Sequence, residues 1–466
     1  MASSKRPKTP RTRPKAERKA QASGPKTQPT PLDVLFISEL PLWPLDQGFR
    51  VHGHHMATAL AEMGLRVGVA SIHRCAAEAP GSLTDLLLEW PIACPRDVAR
   101  FTAGWAGRAA NPRRRLAQHQ ALDTKQLAGV IGLVDRYQPQ VVIGLGQHSP
   151  MMLRGLGTSS GARRIWYAAD EPVYFHLSCL RREPLGTVPQ RLRKVALYAA
   201  IEALFVRGLD GAIGVSPIDS RLLRIIGGAR RTITIRNGVD LDYFSPQPPN
   251  TNHPPQPKTL LFWGRMDFEP NVDAVCWFAR AVWPALRHIC PAATWRIVGK
   301  NPHPRVAALD RVPGVEVVGP VDDIRPYARS AAVTIVPMRC GGGIKNKLLE
   351  AAAMGLATVA SPRAVRGLAI GRGDRPVMIA QTPPQWVVSI RRLWGDAPYA
   401  RRLRHAARKW VETEHRWTSA AARLLAWLGD LPDRSGDAAG PDFSAPTHEI
   451  RTAKSPTSAL ENRNAA

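Results

Sequence analysis

The chain of 466 residues has six cysteines, Cys75, Cys94, Cys179, Cys276, Cys290 and Cys340, and no pair of them has CxxC spacing. That removes the usual cysteine-built metal centre and fits a reducing compartment, so a cytoplasmic location is expected. No apolar run approaches the ~20 residues needed to cross a bilayer. The longest, residues 195–209, is interrupted by Glu202, so no transmembrane helix is expected. Residues 1–30 lack an apolar stretch behind their positive charges and do not read as a secretory signal. Acidic residues are also scarce, 37 against 64 Lys and Arg, for a formal net charge of +27. Of this, +8 falls on residues 1–30 and −1 on residues 431–466, which leaves +20 on the body. Such a body favours anionic partners, among them nucleic acid, phosphosugars and an acidic membrane face. No helix-turn-helix or aromatic-basic motif is present, so nucleic acid is not the expected partner.

At 44% hydrophobic residues the chain can bury a large core, and its length suggests two domains plus tails. Residues 1–30 and 432–466 read as disordered tails. The first is either an electrostatic tether to anionic lipid at the inner face of a membrane or a solvated extension.

Between the tails the same grammar occurs twice. In the first half, DVLFISEL (33–40), LRVGVAS (65–71), QPQVVIGLG (138–146) and ARRIWYAAD (162–170) read as parallel strands separated by helices. Gln147, His148, Asp170 and Glu171 fall at their carboxyl ends, where open α/β sheets bind ligands. A proline-rich stretch at 246–258 reads as a linker, after which strand and helix patterns restart with TLLFWGRM (259–266). The expected organisation is an N-terminal Rossmann-like domain at 31–245, a second at 259–383 and closing helices at 384–431. Two such domains enclose a cleft.

Residues 337–361, PMRCGGGIKNKLLEAAAMGLATVAS, carry the densest chemistry. A buried strand precedes them, Gly341, Gly342 and Gly343 allow a tight turn and close ligand approach, and a helix is expected from Ile344 to the stop at Gly355. Lys345 and Lys347 place cations at a helix N-terminus, where the dipole disfavours them, and a bound diphosphate would resolve the conflict. Glu350 lies one turn deeper, in a position that suits a sugar hydroxyl. A solvated Lys–Glu pair beside a structural turn accounts for the same residues.

Taken in order, RNGVDLDYFSP (236–246), LLFWGRMDFEPNVDAVCWF (260–278), WRIVGKNP (295–302), VEVVGPVDDIRPY (315–327) and the 337–361 unit resemble the GT-B glycosyltransferases, in particular the retaining family 4 of bacterial polysaccharide and lipid-sugar transferases. The resemblance spans residues 34–427. It implies a nucleotide-sugar donor in the second domain and a glycan or lipid-linked acceptor in the first. Gly264, Arg265, Gly343, Ile344, Lys345 and Lys347 would then face the donor, with Arg265 on its phosphates. Glu350 matches the second glutamate of the family's E-x7-E motif, which binds the ribose, while Gly342 stands where the first glutamate touches the donor sugar.

Pro270 likewise stands where many relatives have a phosphate-binding lysine, and Lys345 and Lys347 look like the replacement found in a GGG-x-K/R-x-K branch. Gly48 matches a glycine-bearing loop facing the diphosphate. His148 falls near an acceptor-site histidine, or is an ordinary loop histidine. Asp170 and Glu171 either orient an acceptor hydroxyl or cap the next helix. His52, His54 and His55 imitate a metal cluster, but successive helical positions point apart. The implied activity is transfer of a hexose to a hydroxyl with retention and without metal or other cofactor. The alternative is an inactive scaffold that binds nucleotide sugar, for which Gly342 is the motive.

Overall fold

The computed structural model describes residues 31–45, 47–73, 87–89, 124–157, 161–246, 256–370 and 375–431. Both expected tails, Cys75, Cys94 and most of the proline-rich linker lie outside these residues.

The first domain runs β1 (Val34–Ser38), α1 (Gly48–Glu62), β2 (Val67–Ser71), β3 (Leu87–Glu89), α2 (Thr124–Tyr137), β4 (Val141–Leu145), α3 (Ser149–Gly155), β5 (Arg163–Ala168), α4 (Pro172–Leu180), α5 (Val188–Phe205), β6 (Gly211–Gly214), α6 (Pro217–Ile225) and β7 (Thr232–Thr234). Its seven parallel strands are ordered β3-β2-β1-β4-β5-β6-β7. Strands β1, β2 and β4 are buried at every position, the condition that makes a central parallel strand read as a continuous apolar run. Val34 sits between Val67 and Val141 in register.

The second domain contains β8 (Gln256–Trp263), α7 (Glu269–Ala281), α8 (Trp283–Ile289), β9 (Thr294–Val298), α9 (Pro304–Ala307), β10 (Val315–Gly319), α10 (Arg325–Ser330), β11 (Ala331–Val336), α11 (Asn346–Ala353), β12 (Thr358–Ala360), β13 (Met378–Ile379), α12 (Pro383–Gly395), α13 (Ala397–Glu414) and α14 (Trp417–Gly429). Its sheet order is β10-β9-β8-β11-β12-β13. In both sheets the order reverses beside the first strand, between β1 and β4 and between β8 and β11. The crevices at those switch points are where ligands of open α/β sheets bind.

Three expectations about boundaries change. The linker ends earlier than residue 258, because β8 already pairs from Gln256, opposite Ala331. The glycine-loop helix starts at Asn346 rather than Ile344: Gly343 turns the chain at φ +61° and Lys345 is still extended as the N-cap. The closing helices do not act as one block. Leu403, Ala407, Trp410 and Val411 of α13 join the core of the second domain, whereas Trp417, Ala421, Leu424 and Leu428 of α14 pack into the first. The chain therefore crosses back before it ends. Arg163 and Arg231 of the first domain hold the far end of this helix through the carbonyls of Leu428 and Asp430. No helix among the described residues is long and apolar enough to cross a membrane.

Candidate functional site in the interdomain cleft

The loop between β11 and α11 places its glycines against the other domain. Gly341 and Gly343 have positive φ, +98° and +61°. A Cβ on Gly343 would stand 1.9 Å from Asp170 Oδ1, so only a residue without a side chain lets Asp170 approach. The Gly341 amide donates to Ser178 Oγ at 2.8 Å, and Gly341 also packs on Pro270, whose ring lies 3.2 Å from its Cβ direction. Pro270 is thus a wall of the loop.

Lys347, at the second position of α11, turns back to the end of β8. Its Nζ donates to Asn271 Oδ1 at 2.7 Å, lies 4.1 Å from the centre of the Phe262 ring and stands 3.0 Å from where a Gly264 Cβ would be. Gly264, at φ +140°, opens the space for this ammonium. Asn271 Nδ2 in turn donates to the Arg265 carbonyl at 2.7 Å, so one amide ties the ends of β8 and α11 together. Burial lowers the Lys347 pKa to about 7, with Lys345 pushing the same way and Glu350 opposing. One turn deeper, Glu350 Oε2 accepts from Trp263 Nε1 at 2.8 Å, and burial raises its carboxyl pKa.

Lys345 donates to the Gly342 carbonyl, and its pKa is lowered by burial against the pull of Asp170. Asp170 is solvent-accessible in the cleft, yet the protein surrounding it at longer range raises its pKa. Arg265 points the other way: its guanidinium is paired with Asp267 at 2.9 and 3.0 Å on the cleft rim.

Gly48 opens α1, and the atom facing it is Asn346 Nδ2, 3.9 Å from its Cβ direction. The N-termini of α1 and α11 therefore converge from opposite domains. Asn237 joins them: its Nδ2 donates to Asn346 Oδ1 at 2.8 Å and its Oδ1 lies 3.0 Å from His52 Nδ1. Burial lowers the His52, His54 and His55 pKa values to about 4, and His55 stacks on Trp417. These histidines are packing elements at the base of α1, and no group of three potential metal ligands occurs among the described residues.

No hydrogen bond joins His148 to the glycine loop among the described residues. It sits at the carboxyl end of β4 with Glu39, from the end of β1: the His148 amide donates to Glu39 Oε1 at 2.6 Å and Nδ1 lies 3.2 Å from Oε2. The bond to Glu39 raises its pKa. Glu171 resolves as a helix cap, accepting from the Val173 and Tyr174 amides at 3.0 and 2.6 Å. Asp170 beside it remains open to the cleft.

Trp263, Asn271, Phe262 and Glu39 escaped the sequence reading. Asn271 stands 76 residues from Lys347 in the chain, and only the pairing of β8 with β11 brings the two together. A polar residue in the first turn after a strand-end glycine was the one available signal.

Two parallel Rossmann-like sheets facing across a cleft, with helices returning at the C-terminus, define the GT-B glycosyltransferase fold. Residues 257–396 match the family described as Glycosyl transferases group 1. No curated protein matches the chain in sequence. Among solved structures it is similar to the sucrose-phosphate synthase of Thermosynechococcus elongatus, at 17% identity and TM-score 0.61, over 85% of this chain and 98% of that one. It is also similar to Anabaena HepE in complex with UDP and glucose, at 13% identity and TM-score 0.57 over 86% and 100% of the two chains. A point mutant of S. aureus TarM, in complex with UDP, alpha-GlcNAc-glycerol and Fondaparinux, matches at 10% identity and TM-score 0.58 over 85% and 99%. At these identities the likeness establishes the fold. The resemblance to GT-B glycosyltransferases therefore holds for the architecture, and the sequence match to group 1 glycosyl transferases lies in the second domain.

Proposed function

We propose that the protein transfers a hexose from a nucleotide diphosphate sugar to a hydroxyl of a glycan or glycolipid acceptor, with retention and without a metal ion. The observation that carries this reading is the Lys347 ammonium, held by Asn271 beside Gly264 at the first turn of α11, with Glu350 one turn deeper on Trp263. A diphosphate laid across Gly264 and the N-terminus of α11 would meet unpaired amides, the positive end of the helix dipole and Lys347 together. Glu350 would then reach the ribose. Arg265, on the rim, joins the phosphates by exchanging its Asp267 partner for a ligand oxygen.

As the bond to the donor sugar breaks, negative charge grows on the leaving diphosphate. Fixed donors, in a cleft that closes on the substrates and sheds its water, would stabilise that charge without reorganising. The place left by the missing motif glutamate at Gly342 is covered by the first domain: Asp170 Oδ1 lies 3.7 Å and Phe175 Cβ 3.6 Å from its Cβ direction. Asp170 thereby offers a carboxylate to the donor sugar from across the cleft. A front-face displacement, in which the leaving phosphate removes the acceptor proton, suits a site in which Asp170 is the one carboxylate proposed at the donor sugar.

The other reading, a scaffold that binds donor without turnover, rests on Gly342. A screen of nucleotide sugars by calorimetry, followed by product analysis with the tightest donor, separates the two. Binding with neither transfer nor donor hydrolysis would overturn the catalytic reading, and no nucleotide binding would overturn both.

A further inference from the structure

The loop after β12, residues 361–367, carries two arginines whose pairing the proposed chemistry leaves unexplained. Arg363 and Arg366 each place a guanidinium nitrogen 2.6 Å from one atom, the Tyr174 hydroxyl oxygen of α4. A hydroxyl has two acceptor sites, and both are taken. Two full positive charges thus converge on a neutral oxygen, and among the described residues neither guanidinium makes an ion pair. Elsewhere arginines of this cleft and its surroundings find carboxylates: Arg191 has Glu183 and Glu269, Arg265 has Asp267, and Arg325 has Asp323. Two acids around this loop face other groups. Asp219 accepts from Ser216 Oγ at 2.7 Å, and Asp170 faces Lys345.

The loop that carries the pair is pinned in place. Ser361 Oγ donates to the Met338 carbonyl at 2.6 Å and accepts from the Ala364 amide at 3.1 Å, and Arg236 holds the Gly367 carbonyl at 3.0 Å. A Cβ on Gly367, at φ +88°, would fall 2.6 Å from Ser216 Cβ, so the loop is seated on the first domain as closely as a glycine allows. Between the arginines, Ser216 and the backbone of Gly341–Gly343 lies a small open pocket of about 10 Å³. That is about the space of one water, so an anionic group enters by taking the place of the Tyr174 hydroxyl between the two guanidinium groups.

We infer that Arg363 and Arg366 form a binding site for an acidic group, a carboxylate or phosphate, carried by one of the two sugars that meet in this cleft. The inference deepens the transferase reading and rests on it for the word sugar. An anionic oxygen would displace the Tyr174 hydroxyl as the shared acceptor and take both forks in charge-assisted bonds, leaving the phenol as a third donor. The acid could belong to the donor, as in a nucleotide uronate, or to the acceptor, as in a sugar phosphate. The glycine loop borders the pocket on one side and the first domain on the other, so both sugars can reach it.

Calorimetry on the full chain tests the inference. The probes are UDP, UDP-glucose and UDP-glucuronate, together with glucose and glucose 6-phosphate measured with and without saturating UDP. One acidic probe is expected to bind at least ~10-fold more tightly than its neutral counterpart, as a charge-assisted bidentate contact warrants. Which arm shows the advantage names the donor or the acceptor as its source. The double variant Arg363→Gln/Arg366→Gln is expected to abolish the advantage with UDP affinity unchanged, and Tyr174→Phe, which removes the competing hydroxyl, to retain it. No preference for either acidic probe in the wild type, or a preference that survives in the double variant, would overturn the inference. Failure of UDP to bind the wild type would instead remove the nucleotide reading, while glucose 6-phosphate without UDP still reports on the arginine pair.

Discussion

Lys347 makes nucleotide binding a proton-linked event. In the free protein its pKa is about 7, lowered chiefly by burial, so at pH 8 only about one-tenth of the molecules carry the charge at this position. A diphosphate beside Nζ restores a partner of opposite charge and returns the pKa toward the ordinary value of 10.5. Binding at pH 8, where the terminal phosphate of UDP is already ionised, should therefore take up about 0.9 proton. The sign follows: affinity is full below pH 7 and falls by up to about tenfold per unit, or ~1.4 kcal/mol, as pH rises through 7 and beyond. The same group acts oppositely on the apo protein. Its folded pKa lies below its unfolded one, so the unfolded chain binds the extra proton between about pH 7 and 10.5, and this residue's contribution to stability rises with pH there. Titrating UDP at pH 8 in buffers of different ionisation enthalpy reads the uptake from the slope of observed heat. A slope of zero, or an unchanged slope in Lys347→Met, would refute the placement of a diphosphate on Lys347.

Glu350→Ala removes an acceptor and should weaken UDP by ~10- to 150-fold, the equivalent of ~1.5–3 kcal/mol, at every pH, whereas Lys347→Ala should weaken UDP most at and below pH 7 and slow turnover as well; UDP affinity against pH together with a kcat and KM comparison separates them. Trp263→Phe leaves Glu350 without its indole partner and should weaken UDP in the same direction as Glu350→Ala by a smaller factor, measurable by calorimetry. Gly343→Ala combines a positive φ with a Cβ 1.9 Å from Asp170 Oδ1, so it should cost at least ~1 kcal/mol and push the domains apart, seen as a lower Tm and a larger radius in small-angle scattering. Because Glu39 raises the His148 pKa, their pairing contributes stability that is fully present below about pH 6.5 and lost as pH rises through the folded pKa; Glu39→Gln should lower that pKa in an NMR titration.

The strands and the glycine loop were legible because each rests on local pattern: apolar runs buried on both faces, and glycines at a strand end ahead of a helical segment. Lys347 and Glu350 could be named as a pair because helix periodicity alone puts them on one face. Their partners could not. Asn271 and Trp263 reach the site only through the pairing of β8 with β11, and Asp170, though named at a strand end, faces the glycine loop only through the seating of one domain on the other; neither is encoded within a window of a few residues. For the same reason Glu171 stood open between acceptor contact and helix cap until the Val173 and Tyr174 amides were seen to occupy it. The proline-rich stretch hid the first residues of β8, whose strand character comes from pairing with Ala331 rather than from composition. The split of the closing helices was hidden too, since α13 and α14 carry similar patterns and differ in which core receives them.

That return of α14 to the first domain determines how the cleft can open. The polypeptide passes between the halves twice, once between Ile235 of the first core and Val239 of the second, and once at His415–Arg416. The second passage is fastened to the root of the first, with the Val239 amide on the His415 carbonyl at 2.9 Å and His415 Nδ1 2.8 Å from the Asn237 carbonyl. Two neighbouring covalent crossings behave as a door hung on one edge: swinging is cheap, while sliding or twisting one half past the other strains both crossings together. Opening thus reduces to nearly a single coordinate, and the pairs across the cleft, Asp170 with Lys345 and Tyr174 with Arg363 and Arg366, must part and rejoin in concert.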